Sequence, residues 1–272
     1  MGAAGIIVEY NPLHSGHLRL LEAGRAALGP DTAMVCVMSG NFVQRGDFAL
    51  LRKHARARAA VESGADLVLE LPLPWAVSSA EGFAAGGVQA LAATGVVYCK
   101  ALLGQNAPLR AVTIRREGSA HDGTLTPDTH PSASGLRALL RQGKREEALS
   151  LLPPAMARAY ELEEAAGRAP VFWENSHRAI LARLRSMTAA DFAALDLWAY
   201  LGLTPGDMPE RVPYLRVLAA NGTGCRLLSR MREAAAVPVL TRPAQVRRLG
   251  PEARRLFELE VRATDLYTLA YP

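Results

Sequence analysis

Apolar residues along this chain fall into two patterns that take turns, a short unbroken run and a spacing of three and four. Gly5–Glu9 (GIIVE) is the first run and reads as a buried strand, ended at Tyr10-Asn11-Pro12 because proline cannot donate to a ladder. His17–Leu28 then has helical spacing. Ala33–Met38, Asp66–Leu71 and Ala111–Ile114 read as further strands. Leu51–Ser63, Ser79–Ala93 and Ser132–Arg141 read as helices, with Ser39-Gly40-Asn41 as a turn and Gly64 closing the Leu51–Ser63 helix. Strands that are apolar throughout are covered on both faces, which predicts an α/β fold with a parallel sheet.

After about residue 145 the strand signal fades. Lys144–Leu152, Ala155–Ala166, Ser176–Arg185, Ala189–Ala194, Leu197–Gly202, Gly224–Ala235 and the stretch from Pro251 to Tyr267 read as helical, with Arg211–Val217 extended. The pattern divides the chain into an α/β part over 1–150 and a mainly helical part over 151–272. Two places break the rhythm. At Gly95–Gly104 (GVVYCKALLG) a strand pattern runs into a helix with no turn residue, and at Ala194–Trp198 two helical patterns meet out of phase.

Composition narrows the class. The 272 residues are 50% hydrophobic and 21% charged, which excludes a disordered chain. No apolar run approaches the ~18–20 residues that span a bilayer. The start MGAAGIIVEYNP lacks a basic region and is interrupted by Glu9, so it does not read as a signal peptide. Cys36, Cys99 and Cys225 show no CxxC spacing, which argues against zinc or a disulfide framework and for a reducing cytoplasm. The net charge of +5 suits a polyanionic partner and a slightly basic soluble enzyme equally well.

The candidate chemistry lies in Asn11-Pro12-Leu13-His14-Ser15-Gly16-His17, an HxGH tetrapeptide between the first strand and the first helix. Ligands of parallel sheets bind at the carboxyl edge. A helix N-terminus there offers backbone N–H groups and a positive dipole end, which suits phosphate. Gly16 permits close approach of the backbone. His14 and His17 can face one phosphate and stabilise charge on an α-phosphate and a departing pyrophosphate. The plainer alternative makes His14 a helix cap and His17 a surface residue. Zinc lacks a third ligand here, and neither a Walker A loop nor a dinucleotide fingerprint follows the strand, so no metal site is assigned.

This element resembles the signature of the HIGH-type nucleotidylyltransferases. The runs GIIVEYNPLHSGH, MSGNFVQRGDFALLRKHARARAA, GADLVLELP, TIRREGSAHD, PSASGLR and PYLRVLAANGTG resemble the bacterial tRNA(Met) cytidine acetate ligase family more specifically. The resemblance implies a Rossmann-like HIGH-type domain followed by a helical tRNA-binding domain. It implies activation of acetate by ATP as acetyl-AMP, then acetylation of N4 of the wobble cytidine of elongator tRNA(Met). It places ATP on Ile7, Val8, Glu9, Tyr10, Asn11, Pro12, Leu13, His14, Ser15, Gly16, His17, Leu18, Arg19 and Leu20, with His14 and His17 catalytic. Arg116, with Arg115 as the adjacent alternative, matches a later nucleotide contact. Ser132 and Arg137 match a second phosphate motif in which Ser134 stands where threonine is more usual. Lys53 and Arg56 could reach the triphosphate or the acid, or form a solvated helix face. Mg²⁺ is expected as a counter-charge held mainly by the nucleotide.

The chain departs from the family in two places. A Phe-Gly-Ser-Glu-like segment and an Asn-rich segment are missing, and the sequence reads as flanks joined at ATGVVYCKALL and at FAALDLWAY, the two places where the rhythm breaks. His121-Asp122 and His130 lie in or beside a Gly118–Pro131 loop that could cover the nucleotide. Trp173 and Trp198 read as core, and Glu258, Glu260, Arg262 and Asp265 as ion-paired surface residues. Two other functions stay open: a nucleotidylyltransferase for a small phosphorylated acceptor, and a degenerate tRNA-binding module.

Overall fold

A computed structural model of the chain describes residues 2–92, 112, 132–194, 214–234, 239–240, 247–251, 254, 256–258 and 260–261. The strands β1 (Ala3–Val8), β2 (Ala33–Ser39) and β3 (Leu67–Leu71) pair in parallel, as the sequence pattern predicts. Helix α1 (Ser15–Leu28) follows β1, α2 (Lys53–Glu62) follows β2, and α3 (Leu73–Ala76) and α4 (Ala80–Ala92) follow β3. Then come α5 (Ala133–Arg141), α6 (Arg145–Ser150), α7 (Pro154–Ala165), α8 (Trp173–Ser186) and α9 (Ala189–Ala194). Strand β4 (Leu215–Ala220), α10 (Gly222–Ala234) and β5 (Val239–Leu240) complete the regular elements.

The unbroken apolar strands have the expected consequence. Met34, Cys36 and Met38 of β2 enter one core with Leu21 of α1 and Leu136 of α5. The alternate residues Ala33, Val35 and Val37 enter a second core with Leu91 of α4 and Leu228 of α10. Both faces are therefore apolar and both are covered by helices.

Two expectations are corrected. The sheet is mixed, because β4 runs antiparallel to β3 in the order β1-β2-β3-β4-β5, and the extended stretch expected at Arg211–Val217 is shifted toward Leu215–Ala220. The division at residue 150 also does not separate two independent layers. Strands β4 and β5 extend the first sheet, and α7 packs on α2. Arg52, just before α2, chelates Glu163 of α7 at 2.5 and 2.7 Å, and Arg158 of α7 reaches Glu62 at 3.1 Å. The alanines of α2 suit a helix held between a sheet and another helix: Ala57, Ala59 and Ala60 are buried. Trp173, expected in the core, is 41% exposed. Both breaks in the sequence pattern fall largely outside the described residues, as do Trp198, Arg262, Asp265 and, apart from Val112, the strand expected at Ala111–Ile114.

Helix α4 sits unusually close to its neighbours. A Cβ on Gly86 would lie 2.1 Å from Cδ1 of Trp75, and one on Gly87 would lie 2.4 Å from Cδ1 of Ile7. Gly86→Ala should therefore lower stability by about 1–3 kcal/mol through overpacking, although alanine favours a helix by about 1 kcal/mol. Urea denaturation checks this, and an unchanged or raised midpoint would contradict it.

Candidate functional site

The segment after β1 turns sharply. Tyr10 adopts φ +48°, a left-handed conformation that a non-glycine residue holds only at some cost, and the Asn11–Pro12 peptide is cis. The Tyr10 ring is buried, and its hydroxyl shares a 3.3 Å hydrogen bond with Cys36 Sγ. Burial pushes the Cys36 thiol up to about 12, so this contact is structural. Asn11 Oδ1 accepts from the Leu50 amide at 2.7 Å, and Leu13 is fully buried. The turn is thus pinned from below before the chain reaches His14.

His14 is the N-cap of α1. Its Nδ1 accepts from the Gly16 amide at 3.1 Å, and its own amide donates to Nδ1 of His17 at 3.2 Å. Two histidines thereby form a reciprocal capping box. The capping reading and the chemical one coincide. With both Nδ1 atoms accepting backbone N–H groups, each neutral ring carries its proton on Nε2. The rings lie 3.8 Å apart at 33°, which places the two Nε2–H donors side by side at a helix N-terminus. Tyr10 meets the His17 ring edge-on at 5.0 Å. Gly16 is needed for this arrangement, because a Cβ there would lie 3.0 Å from Cε1 of His14.

The second motif comes to the same turn. Ser132 caps α5, its Oγ accepting from the Gly135 amide at 3.1 Å and lying 3.0 Å from Ser134 Oγ. Arg137, one turn into α5, donates from Nη1 to the Asn11 carbonyl at 2.5 Å. Burial lowers the Arg137 pKa, and the nearby Asp47 and Glu9 pull it back up. The structure therefore brings His14, His17, Ser132 and Arg137 into one neighbourhood. Within the 7–20 stretch, Ile7, Val8, Tyr10 and Leu13 belong to or pack on the cores, Arg19 is exposed, and Glu9 Oε1 accepts from the Gln44 amide at 2.7 Å. Arg116, Arg115, His121, Asp122 and His130 lie outside the described residues.

Lys53 and Arg56 do not form a solvated helix face; both are buried. Arg56 donates from Nη1 to the Glu9 carbonyl, from Nη2 to those of Ser39 and Gly40, and from Nε to that of Leu51. Lys53 Nζ donates to Glu70 Oε1 at 2.6 Å and to Glu260 Oε1 at 2.8 Å. Arg216 of β4 donates to both carboxylates, and Tyr214 OH donates to Glu260 Oε2 at 2.7 Å. Glu260, expected on the surface, is buried instead, because two cations and a phenol satisfy it. Burial and the Glu260 charge push Glu70 up to about 7. Burial opposes ionisation of Glu260 too, but Lys53, Glu70 and Arg216 outweigh it and hold Glu260 low. Sequence reasoning missed this cluster, although a glutamate inside the buried strand LVLEL was its signal. Among the described residues no three His, Cys, Asp or Glu side chains are grouped to hold a metal, and no helix is long and apolar enough to cross a membrane.

A phosphate-directed histidine pair at the carboxyl edge of a doubly covered sheet defines a nucleotidyl-transfer class of site. The chain belongs to the HIGH nucleotidyl transferase family, whose sequence model matches residues 1–97, 93–199 and 197–272. It is similar to the tRNA(Met) cytidine acetate ligase of Acetivibrio thermocellus, with 26% identity over 397 positions that cover 100% of this chain and 95% of that protein. It is also similar to the same-named protein of Lactobacillus delbrueckii subsp. bulgaricus, at 53% over 95 residues, 35% of this chain and 24% of that one. Among solved structures it matches apo Thermotoga maritima TmcAL with a TM-score of 0.83 and 24% identity, over 100% of this chain and 95% of that chain. The same Thermotoga protein has a structure bound with alpha-thio ATP, at the same TM-score of 0.83. The three matched stretches meet at 93–97 and 197–199, where the sequence pattern breaks. An alignment of 397 positions against 272 residues leaves a long part of the Acetivibrio protein's interior without a counterpart here.

Two outcomes follow from this geometry. Gly16→Ala should displace the His14 ring and weaken nucleotide binding at least tenfold in a calorimetric titration while shifting the unfolding midpoint little; unchanged affinity would contradict the capping account. Glu70 is held above its ordinary 4.5, so its contribution to stability is complete below that value and is lost as pH rises toward about 7. Relative to Glu70→Gln, the wild type should therefore lose stability between pH 4.5 and 7 in urea melts. A constant difference across that range would refute the assignment.

Proposed function

We propose that the protein is an ATP-dependent tRNA(Met) cytidine acetate ligase. The observation that carries this reading is the pair of Nε2–H donors that His14 and His17 present beside Arg137 at the N-terminus of α1. The names of the relatives supply the substrates. A carboxylate oxygen of acetate attacks the α-phosphorus of ATP, the bond to the β-phosphate breaks, and pyrophosphate leaves with acetyl-AMP formed. The exocyclic N4 of the wobble cytidine then attacks the acetyl carbonyl, loses a proton, and AMP departs. Cytosine N4 is a poor nucleophile, so the acid has to be activated first.

In this scheme His14 and His17 stabilise charge on the α-phosphate and the leaving group, and Arg137 and Ser132 serve the outer phosphates. Arg116 is assigned to the nucleotide by its match to the family motif. The residues present fit Mg²⁺ held by the triphosphate rather than by a protein cage, and bound there it would neutralise phosphate charge. The helical part and the cationic excess suit the tRNA backbone, and the reading places the protein in the cytoplasm. The shortened interior favours one second reading, a tRNA-binding module that has lost adenylation.

Incubation with labelled acetate, ATP and elongator tRNA(Met) separates the two. Label should enter the tRNA, and His17→Ala should abolish pyrophosphate release while leaving tRNA affinity nearly unchanged. tRNA binding with no label transfer would establish the second reading. Equal loss of both activities in His17→Ala would give His17 a folding role instead.

A further inference from the structure

A pocket opens between the loop after β2 and the end of β3. It adjoins the histidine turn, because Arg56 donates both to Glu9, which leads into the turn, and to Gly40, which lines the pocket. One wall is polar, formed by Lys53, Glu70 and Glu260. All four carboxylate oxygens of that wall already accept a hydrogen bond, from Lys53, Arg216 or Tyr214. Lys53 Nζ has given two of its three protons, and the third has no acceptor among the described residues. The wall therefore offers a ligand a cationic donor and no unengaged acceptor. With two cations and two carboxylates, the cluster as a whole does not repel an anion.

The opposite wall is apolar, made by Phe42, Leu71 and Leu73. Gly40 closes the rim: a Cβ there would lie 2.5 Å from Glu70 Oε1, so only glycine lets the rim fold over that carboxylate. A cationic donor facing a short apolar wall matches a small carboxylate with a short alkyl tail. An exocyclic amine would need acceptors that are already engaged.

We propose that this pocket seats the acid substrate, with Lys53 holding the carboxylate and Phe42 and Leu73 limiting the alkyl tail. The inference rests on the adenylate-forming reading above and adds to it the residues that select the acid. The carboxylate is thereby held next to the phosphates that His14 and His17 serve.

The test is acid-dependent exchange of radiolabelled pyrophosphate into ATP, with acetate, propionate and butyrate, on the full chain. Wild type should prefer acetate. Leu73→Ala and Phe42→Ala should each raise the propionate-to-acetate ratio of kcat/KM about tenfold or more, the discrimination one methylene typically carries. Lys53→Gln should raise KM for acetate, and the two apolar variants keep the test valid if that substitution unfolds the protein. A ratio unchanged in both apolar variants, with robust exchange, overturns the pocket and leaves the functional reading standing. A raised KM for tRNA with unaltered acid selectivity would assign the pocket to the cytosine and overturn the proposal. No exchange with any acid in wild type would overturn both.

Discussion

The guanidinium of Arg56 is fully buried on α2 and donates to the carbonyls of Glu9, Ser39, Gly40 and Leu51. Where β1 and β2 end, these carbonyls leave the ladder and would otherwise be unpaired at a dry edge. A charged donor satisfies each for about 1.5–3 kcal/mol, and only a planar guanidinium can reach several from one position. The turn that holds His14 and the loop that carries Gly40 are consequently fixed to one rigid group. Their relative placement does not depend on either loop's own chain stiffness.

A second constraint arrives from the far end of the chain. Glu260 and Arg216 reach the edge of β3 to meet Lys53 and Glu70. Buried ion pairs of this kind add little to stability compared with an apolar replacement, yet removing a single partner strands a charge at a cost of about 3–5 kcal/mol. The cluster thus makes the C-terminal segment a structural requirement for the nucleotide edge. Phe257 covers it, with the Arg216 guanidinium 4.9 Å over its ring. The mixed sheet has the same origin, since β4 brings Arg216 to β3 by running antiparallel beside it.

Much of this was legible in the sequence. The runs GIIVE and Ala33–Met38 and the spacing in His17–Leu28 reflect burial on one or two faces, and burial is what forms the elements. The HxGH turn was readable because its position after a strand carries the meaning. Arg56 and Lys53 were not. In KHARARAA the alternating charges look solvated, and only α7 and the sheet, remote in sequence, reveal that both sides of α2 are covered. Glu260 was misjudged for the same reason: its partners lie 207 and 44 residues away, at Lys53 and Arg216. The antiparallel β4 was hidden because LRVLAA is short and only its pairing sets its direction.

The most direct test is amide hydrogen exchange on Arg56→Lys beside the wild type. Lysine keeps the charge but can reach fewer carbonyls. The account predicts faster exchange in both 9–17 and 40–48, with the amides of β2 and β3 still protected. Acceleration in only one of the two segments, or uniform acceleration through the sheet, would contradict it.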